Sequence, residues 1–359
     1  MSNLCQVSVV VPILPGLRFS PESLASLENQ TFDSLEILLV DGGGGSDLIA
    51  ALREQAGHFR RPVRWIRDHR QGLPVLRNRG IHESRSRFVA IHNYPDLMAP
   101  TRIEEGVHLL ESRSEMVLAS SLYDREPDRK EGGAQGRTPV RRARIWSQSE
   151  RMLGDLLDRA RPAQGRGGRY HIPESTTLMI RREAALSAGL YDTRFSVAPW
   201  ATLEFSLRLY EQGSFGLIEA PLVRQVFQAR SLTPSLWTRS MEQMDLFYLI
   251  LAWRYGSARD REAARILLDI REHWLRYWSG WFFRYRGGRK TGIQFAMRAL
   301  GSNLLGRENW KWALKALFPH SQYPRLFWFD QFIDSPMPDH GRDPDPERIL
   351  SHDWRLQCF

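Results

Sequence analysis

An α/β fold is what this sequence predicts: a mostly parallel sheet flanked by helices, followed by an α-helical C-terminal extension. Two observations predict the sheet. Over residues 1–230, short β-branched runs alternate with segments of helical spacing, the pattern of strands joined by crossover helices. The runs are compact and apolar, as strands buried in a parallel sheet should be. A third observation predicts the extension. From about Ser231 the strand signals stop and the pattern becomes helical throughout. The expected organisation is therefore a sheet domain over 1–230, a helical region over 231–332 and a tail over 333–359.

The elements follow in order. Residues 7–12 are the first strand. Ser20 then stands as an N-cap with Pro21 at the first helical position, and Leu24 and Leu27 recur at helical spacing. Residues 36–40 are the second strand, which runs into Asp41-Gly42-Gly43-Gly44-Gly45-Ser46-Asp47. Residues 63–66 and 87–91 are the third and fourth. Thr101-Arg102-Ile103-Glu104 reads as a capping box opening a helix that ends near Glu111, and 116–120 is a fifth strand. The charged stretch 124–144 is an insertion loop, 149–161 is helix-like, and 164–168 is glycine-rich. A strand over 176–180 and a helix over 203–212, closed by Gly213, complete the domain. Residues 336–346 read as an extended, linker-like segment.

Composition narrows the function. The 359 residues are 42% hydrophobic and 25% charged, which suits a packed core and excludes a disordered chain. Cys5 and Cys358 stand at opposite ends, so neither a disulfide framework nor a cysteine metal site is in view. The apolar run 244–253 is broken by Asp245 and is far shorter than the roughly 20 residues of a membrane span. No basic segment precedes the apolar residues 7–14, so the expected compartment is the cytoplasm. The net charge is +9 and the pI about 9.9. Over residues 231–330 there are 16 basic and 8 acidic residues and 8 of the 12 tryptophans; after 331 there are 3 basic and 6 acidic. Trp274, Trp278, Trp281, Phe282 and Tyr285 recur at helical spacing among Arg271, Arg276, Arg284, Arg286 and Arg289. That pattern is either an amphipathic face for an anionic surface or a packing face of a helical subdomain. No zinc-finger, RNA-recognition or helix-turn-helix signature is present, which sets nucleic acid aside.

The N-terminal motifs carry a resemblance. Val7-Ser8-Val9-Val10-Val11-Pro12, Glu36-Ile37-Leu38-Leu39-Val40-Asp41-Gly42-Gly43 and Gln71-Gly72-Leu73-Pro74-Val75-Leu76-Arg77-Asn78-Arg79-Gly80-Ile81 resemble successive segments of the family 2 glycosyltransferases, which have the GT-A fold. Leu178-Met179-Ile180-Arg181-Arg182-Glu183 with Gly189-Leu190-Tyr191-Asp192 is similar to that family's acceptor-side segment. The resemblance covers roughly residues 5–230. It implies an inverting transfer from a nucleotide-sugar, such as a UDP-sugar, to a glycan or lipid-linked acceptor, in bacterial surface polysaccharide or glycoconjugate synthesis. It further implies a donor site at Pro12, Asp41, Gly42, Arg77, Asn78 and Asn93. Asp41 would accept a hydrogen bond from the base, or else serve as a turn residue. Arg77 would meet the diphosphate, since a guanidinium fork suits phosphate oxygens, or else make an ion pair.

The acidic motifs of that family are thin here. Counting back from Pro100, its Asp-x-Asp-Asp metal motif falls on Asn93-Tyr94-Pro95-Asp96, where only Asp96 keeps a carboxylate. A hard divalent cation, Mn or Mg, wants several oxygen ligands, and His92 with Asp96 is a poor set. Counting back from Arg208, the Glu-Asp pair that supplies the base falls on Ala201 and Thr202. Glu204 is the nearest carboxylate, with an ordinary first-turn helix glutamate as the alternative. Around Val226-Phe227-Gln228 there is no counterpart to a metal-binding histidine. The catalytic candidates are therefore Glu204 and Asp96, no metal ligand is assigned, and the expected enzyme depends weakly on metal or not at all. The alternative is an inactive scaffold that binds or regulates, beside a partner glycosyltransferase.

Overall fold

The computed structural model describes residues 5–68, 70, 72–125, 174–196, 198–226, 234–257, 261–284, 289–307, 309–310 and 313. Expectations for 126–173, 227–233 and the tail lie outside the described residues. The chain divides into two compact units, and the described residues 5–226 and 234–313 belong to one each.

The first unit holds an eight-stranded sheet. Its strands are β1 (Val7–Ile13), β2 (Leu35–Asp41), β3 (Val63–Arg67), β4 (Phe88–Ile91), β5 (Leu97–Met98), β6 (Met116–Arg125), β7 (Met179–Arg181) and β8 (Ser214–Gln225). The order across the sheet is β3-β2-β1-β4-β7-β6-β8-β5. β1 is central and parallel to both neighbours, with Val7 opposite Leu35 on one side and Phe88 on the other. All seven of its residues are buried, and all but Ser8, whose hydroxyl donates to Glu36 Oε1 at 2.6 Å, are apolar. The pairs β2–β3 and β6–β8 are also parallel, whereas β4–β7, β6–β7 and β5–β8 are antiparallel.

Among the described residues of this unit the helices are α1 (Pro21–Glu28), α2 (Ser46–Ala56), α3 (Leu73–Glu83), α4 (Arg102–Ser112), α5 (Arg182–Ser187) and α6 (Ala198–Tyr210). α3 packs so closely on β1 that a Cβ at Gly80 would lie 2.3 Å from Val10 Cγ1. Three local expectations are corrected. Ser20 makes no side-chain cap; its hydroxyl turns to Glu22 Oε2 at 3.4 Å. The capping box at 101–104 does not close, because Thr101 Oγ1 donates to Glu105 Oε1 (2.7 Å) while Glu104 accepts from Thr31 Oγ1 (2.6 Å). The strand expected over 176–180 is a 3₁₀ turn, Ser175–Thr177, followed by the short β7. β8, twelve residues long, went unread in the sequence; its alternation is interrupted by Gly216 and Pro221.

The second unit is helical: α7 (Pro234–Ser257), α8 (Arg261–Arg284) and α9 (Arg289–Ser302). Met241, Met244, Phe247 and Leu251 of α7, Leu267, Leu275 and Trp278 of α8, and Phe295, Ala296, Ala299 and Leu300 of α9 are buried. Asp245 of α7 ties all three helices, accepting from Arg271 Nε (2.5 Å) and Arg298 Nη1 (3.4 Å). Of the basic aromatic pattern on α8, Arg271 and Trp278 are therefore internal; the side chains of Trp281, Phe282 and Tyr285 lie outside the described residues. Among the described residues no helix is long and apolar enough to cross a membrane.

The Gly80 contact yields a stability prediction. Gly80→Ala is expected to lower the unfolding free energy by about 1–3 kcal/mol, the usual cost of overpacking. Urea denaturation measures it; an unchanged midpoint would mean that α3 shifts off β1 freely.

Candidate functional site

In open α/β sheets, ligands settle beyond the carboxyl ends of the parallel strands, where neighbouring connections diverge. Here β1 lies between β2 and β4, and the segments that leave β2, β3 and β4 hold most of the candidate residues. Pro12 is buried within β1 opposite Val40. Asp41 ends β2, and its Oδ1 accepts the N–H groups of Gly43 and Gly44, both at 2.9 Å. Gly43 has φ +98°, a conformation that suits glycine. Gly42 donates to Ile13 O, and a Cβ there would lie 2.4 Å from Leu76 Cδ1. The Asp41 carbonyl receives the Asp68 N–H, which brings the β3 end alongside. Asp68 is clamped by Arg70 Nε and Nη2 at 3.0 and 2.7 Å. That hydrogen-bonded partner holds its carboxyl down at about 2, so Asp68 stays anionic.

Arg77 anchors the interior of the site. It is 0% exposed, and the partners of its guanidinium are uncharged. Nη2 donates to Asn93 Oδ1 (2.9 Å) and Ser175 Oγ (2.7 Å), Nη1 reaches Thr202 Oγ1 (3.5 Å), and the fork lies 5.2 Å from the Tyr191 ring centre. Nε has no partner. Burial pushes the Arg77 pKa down, with Tyr191 and Glu174 opposing the shift. Asn93 Nδ2 donates to Ser175 Oγ at 2.8 Å, and Asn93 N–H reaches Thr176 Oγ1 at 3.3 Å. Asn78 clasps the Tyr191 backbone, giving Nδ2–H to its carbonyl and accepting its N–H, each at 2.8 Å. The fold thus brings together Arg77, Asn93 and Thr202, which the sequence separates. It adds Ser175, Thr176 and Tyr191, which sequence reading missed; the run Ser175-Thr176-Thr177 was a signal, since three small hydroxyls just ahead of an apolar strand are turn chemistry.

The two catalytic candidates lie apart from one another in their bonding. Asp96 is 6% exposed, and its Oδ1 accepts the Val226 N–H at 3.0 Å. Glu204 is 3% exposed, and both its oxygens are taken by Arg208, from Nε at 2.7 Å and Nη2 at 2.6 Å. Arg102 is buried below Asp96 in sequence and donates from Nη2 to the carbonyls of Ile91 (3.1 Å), Thr176 (2.8 Å) and Leu178 (3.2 Å). Burial lowers its pKa to about 9, against the opposing charge of Asp96.

The residues at the expected metal positions are bonded within the protein. Among the described residues no three His, Cys, Asp or Glu side chains gather. At the positions where ligands were sought, Asn93 gives its oxygen to Arg77, and His92 is spent on Ser23 Oγ at 3.1 Å. Arg77 and Arg102 are both buried guanidiniums.

His92 supplies a pH prediction. Ser23 gives its hydroxyl proton to Asp96 O (2.7 Å), so Nε2–H of His92 is the donor to Ser23, and the imidazole is neutral. Burial, then the nearby Arg102, press its pKa from 6.5 to about 3. The unfolded chain takes up a proton below 6.5 that the folded protein refuses. The associated stability is complete above pH 6.5 and declines as the pH falls toward 3, by about 1.4 kcal/mol per unit. His92→Asn is expected to flatten the fall in unfolding free energy between pH 6 and 4; an equal slope in both proteins would assign that fall to other groups.

Comparison with known proteins agrees with the fold. Residues 8–185 match the family model described as Glycosyl transferase family 2. The chain is 27% identical over 114 residues to EpsH of Bacillus subtilis (strain 168), an alignment covering 32% of this chain and 33% of that protein. It is 27% identical over 104 residues to the uncharacterized glycosyltransferase YibD of Escherichia coli (strain K12), covering 29% and 30%. Each alignment therefore spans about a third of the relative's length. Among solved structures, S. aureus TarS 1-349 in complex with UDP-GlcNAc superposes with a TM-score of 0.61 at 11% identity, over 89% of this chain and 92% of that one. At that identity the likeness is one of fold, a mostly parallel sheet with flanking helices. The motifs, the sheet order and the family match converge: the chain belongs to glycosyl transferase family 2 through its sheet domain, which has the GT-A fold.

Proposed function

We propose that this protein transfers a sugar from a nucleotide-sugar donor to a glycan or lipid-linked acceptor, with inversion and without a resident divalent cation. The observation that carries the reading is the buried Arg77 charge with only uncharged hydrogen-bond partners. Breaking the donor's bond to diphosphate builds negative charge on the leaving group, and a fixed cation in a water-poor place stabilises it. Arg77 is wholly internal, so its charge acts from behind Asn93 and Ser175, the groups that would meet the donor. Asp41 faces the base: Oδ1 holds the glycine turn, and the carboxylate has a second oxygen to offer a base N–H. Asn78 positions Tyr191 against Arg77 rather than touching the donor.

Deprotonating the acceptor hydroxyl needs a base. Of the two candidates, Asp96 is the better placed for that role. Glu204 would first have to break two charge-assisted bonds to Arg208.

Equilibrium binding of UDP, GDP and UDP-GlcNAc, each with manganese or with a chelator, tests the proposal, followed by product analysis with the donor that binds. Binding unchanged by the chelator is expected. Asp41→Asn keeps an acceptor for the glycine turn but removes the charge. It is expected to weaken nucleotide binding about ten- to a hundredfold, the worth of one charge-assisted hydrogen bond. Binding that requires manganese would overturn the metal-free reading. Nucleotide binding without product from any acceptor would favour the inactive scaffold.

A further inference from the structure

The site residues follow an order along one edge of the sheet. β7 is antiparallel to both β4 and β6. The strands β1, β2, β4 and β6 therefore end on the same edge, and β7 begins there. Asp41 closes β2, Asn93 follows β4, the 3₁₀ turn Ser175–Thr177 precedes β7, and Tyr123 lies near the carboxyl end of β6. Since the strands run β2-β1-β4-β7-β6 across the sheet, these groups form a row. A sugar nucleotide has a linear order of its own: base, ribose, diphosphate, sugar. With the base at Asp41 and the diphosphate at Asn93 and Ser175, the sugar falls at the next place in the row, beside β7 and β6.

The fold presents Glu174 there. Tyr123 Oη–H donates to Glu174 Oε1 at 3.3 Å. Both residues are half-buried, whereas Asp96 and Glu204 are 6% and 3% exposed. The Glu174 carbonyl accepts the Thr177 N–H (2.8 Å) and the Thr177 hydroxyl (2.7 Å). Those two bonds fix Glu174 to the same turn that holds Ser175 against Arg77. Its charge is near enough to Arg77 to offset part of the burial acting on that guanidinium. A carboxylate on a rigid turn suits sugar hydroxyls, which are O–H donors, and charge-assisted bonds of this kind are among the strong ones. The same charge repels a second carboxylate brought beside it, which makes it a filter as well as a contact.

We propose that Glu174, held by Tyr123, receives the hydroxyls of the donor's sugar and selects a neutral sugar over a uronic acid. The assignment rests on the donor reading of Asp41 and Arg77 and names the class of sugar that this site takes. The test is equilibrium binding of UDP, GDP, UDP-GlcNAc, UDP-glucose, GDP-mannose and UDP-glucuronate to the full chain and to Glu174→Gln, which keeps an acceptor for Tyr123 but loses the charge. The Kd of the neutral sugar nucleotide divided by that of its bare nucleotide is expected to rise about tenfold in the variant, the worth of one charge-assisted hydrogen bond. A general change in the site's charge cancels from that ratio. The preference for UDP-glucose over UDP-glucuronate should fall in the same variant, with the thermal unfolding midpoint unchanged. Should Glu174→Gln unfold early, Tyr123→Phe, which removes the hydroxyl holding Oε1, should move both ratios the same way. Either ratio unchanged in the folded variant would overturn the assignment and leave the donor reading in place. No binding of any of the six compounds to the unchanged protein would overturn both.

Discussion

The arrangement of the sheet domain depends on one buried charge. Arg77 is a guanidinium with no exposed surface and no carboxylate among its hydrogen-bond partners. A charge so placed costs several kcal/mol unless its surroundings are organised for it. The organisation consists of an amide oxygen, two hydroxyls and the face of Tyr191, each brought from a different stretch of chain. Asn93 follows β4, Ser175 lies in the 3₁₀ turn before β7, Tyr191 follows α5, and Thr202 lies in α6. The cation therefore specifies where four segments sit. An aliphatic side chain in its place would leave those polar groups facing one another with too few donors.

The remaining carboxylates around the site are structural ties as well as candidates for chemistry. Asp41 closes a glycine turn through two amides, Asp68 clamps Arg70, Asp96 holds the Val226 amide, and Glu204 grips Arg208 along α6. Each satisfies a donor that would otherwise be unpaired. This sets a hierarchy among them. Asp41, which holds two amides through one oxygen, keeps the other for another task, whereas Glu204, which grips an arginine with both oxygens, does not.

The helical unit repeats the principle with a carboxylate at the centre. Asp245 of α7 accepts from arginines of α8 and α9, and the methionine, leucine and phenylalanine side chains around it supply the apolar contact. This is also why Arg271, which read equally well as part of an outward amphipathic face, turns inward: its spacing is helical either way, and Asp245 on the facing helix supplies its partner.

The sequence by itself determined the class of fold, most parallel strands to within a residue or two, and the need for glycine after Asp41. Those features are local or periodic: a buried parallel strand is apolar at nearly every position, as β1 is but for Ser8, and a positive φ at Gly43 follows from a tight turn. The family resemblance also marked Arg77 within the 71–81 segment, and Asn93 and Thr202 where the family's acidic motifs fall when counted back from Pro100 and Arg208. It did not show that they meet. Arg77 and Thr202 are 125 residues apart, and the Thr101–Glu104 pair, which looks like a capping box, is drawn into other bonds by Thr31 and Glu105. Tertiary structure alone decided such pairings, because a hydrogen bond goes to whichever acceptor the packed chain brings within about 3 Å, and periodicity along a chain carries no information about that distance.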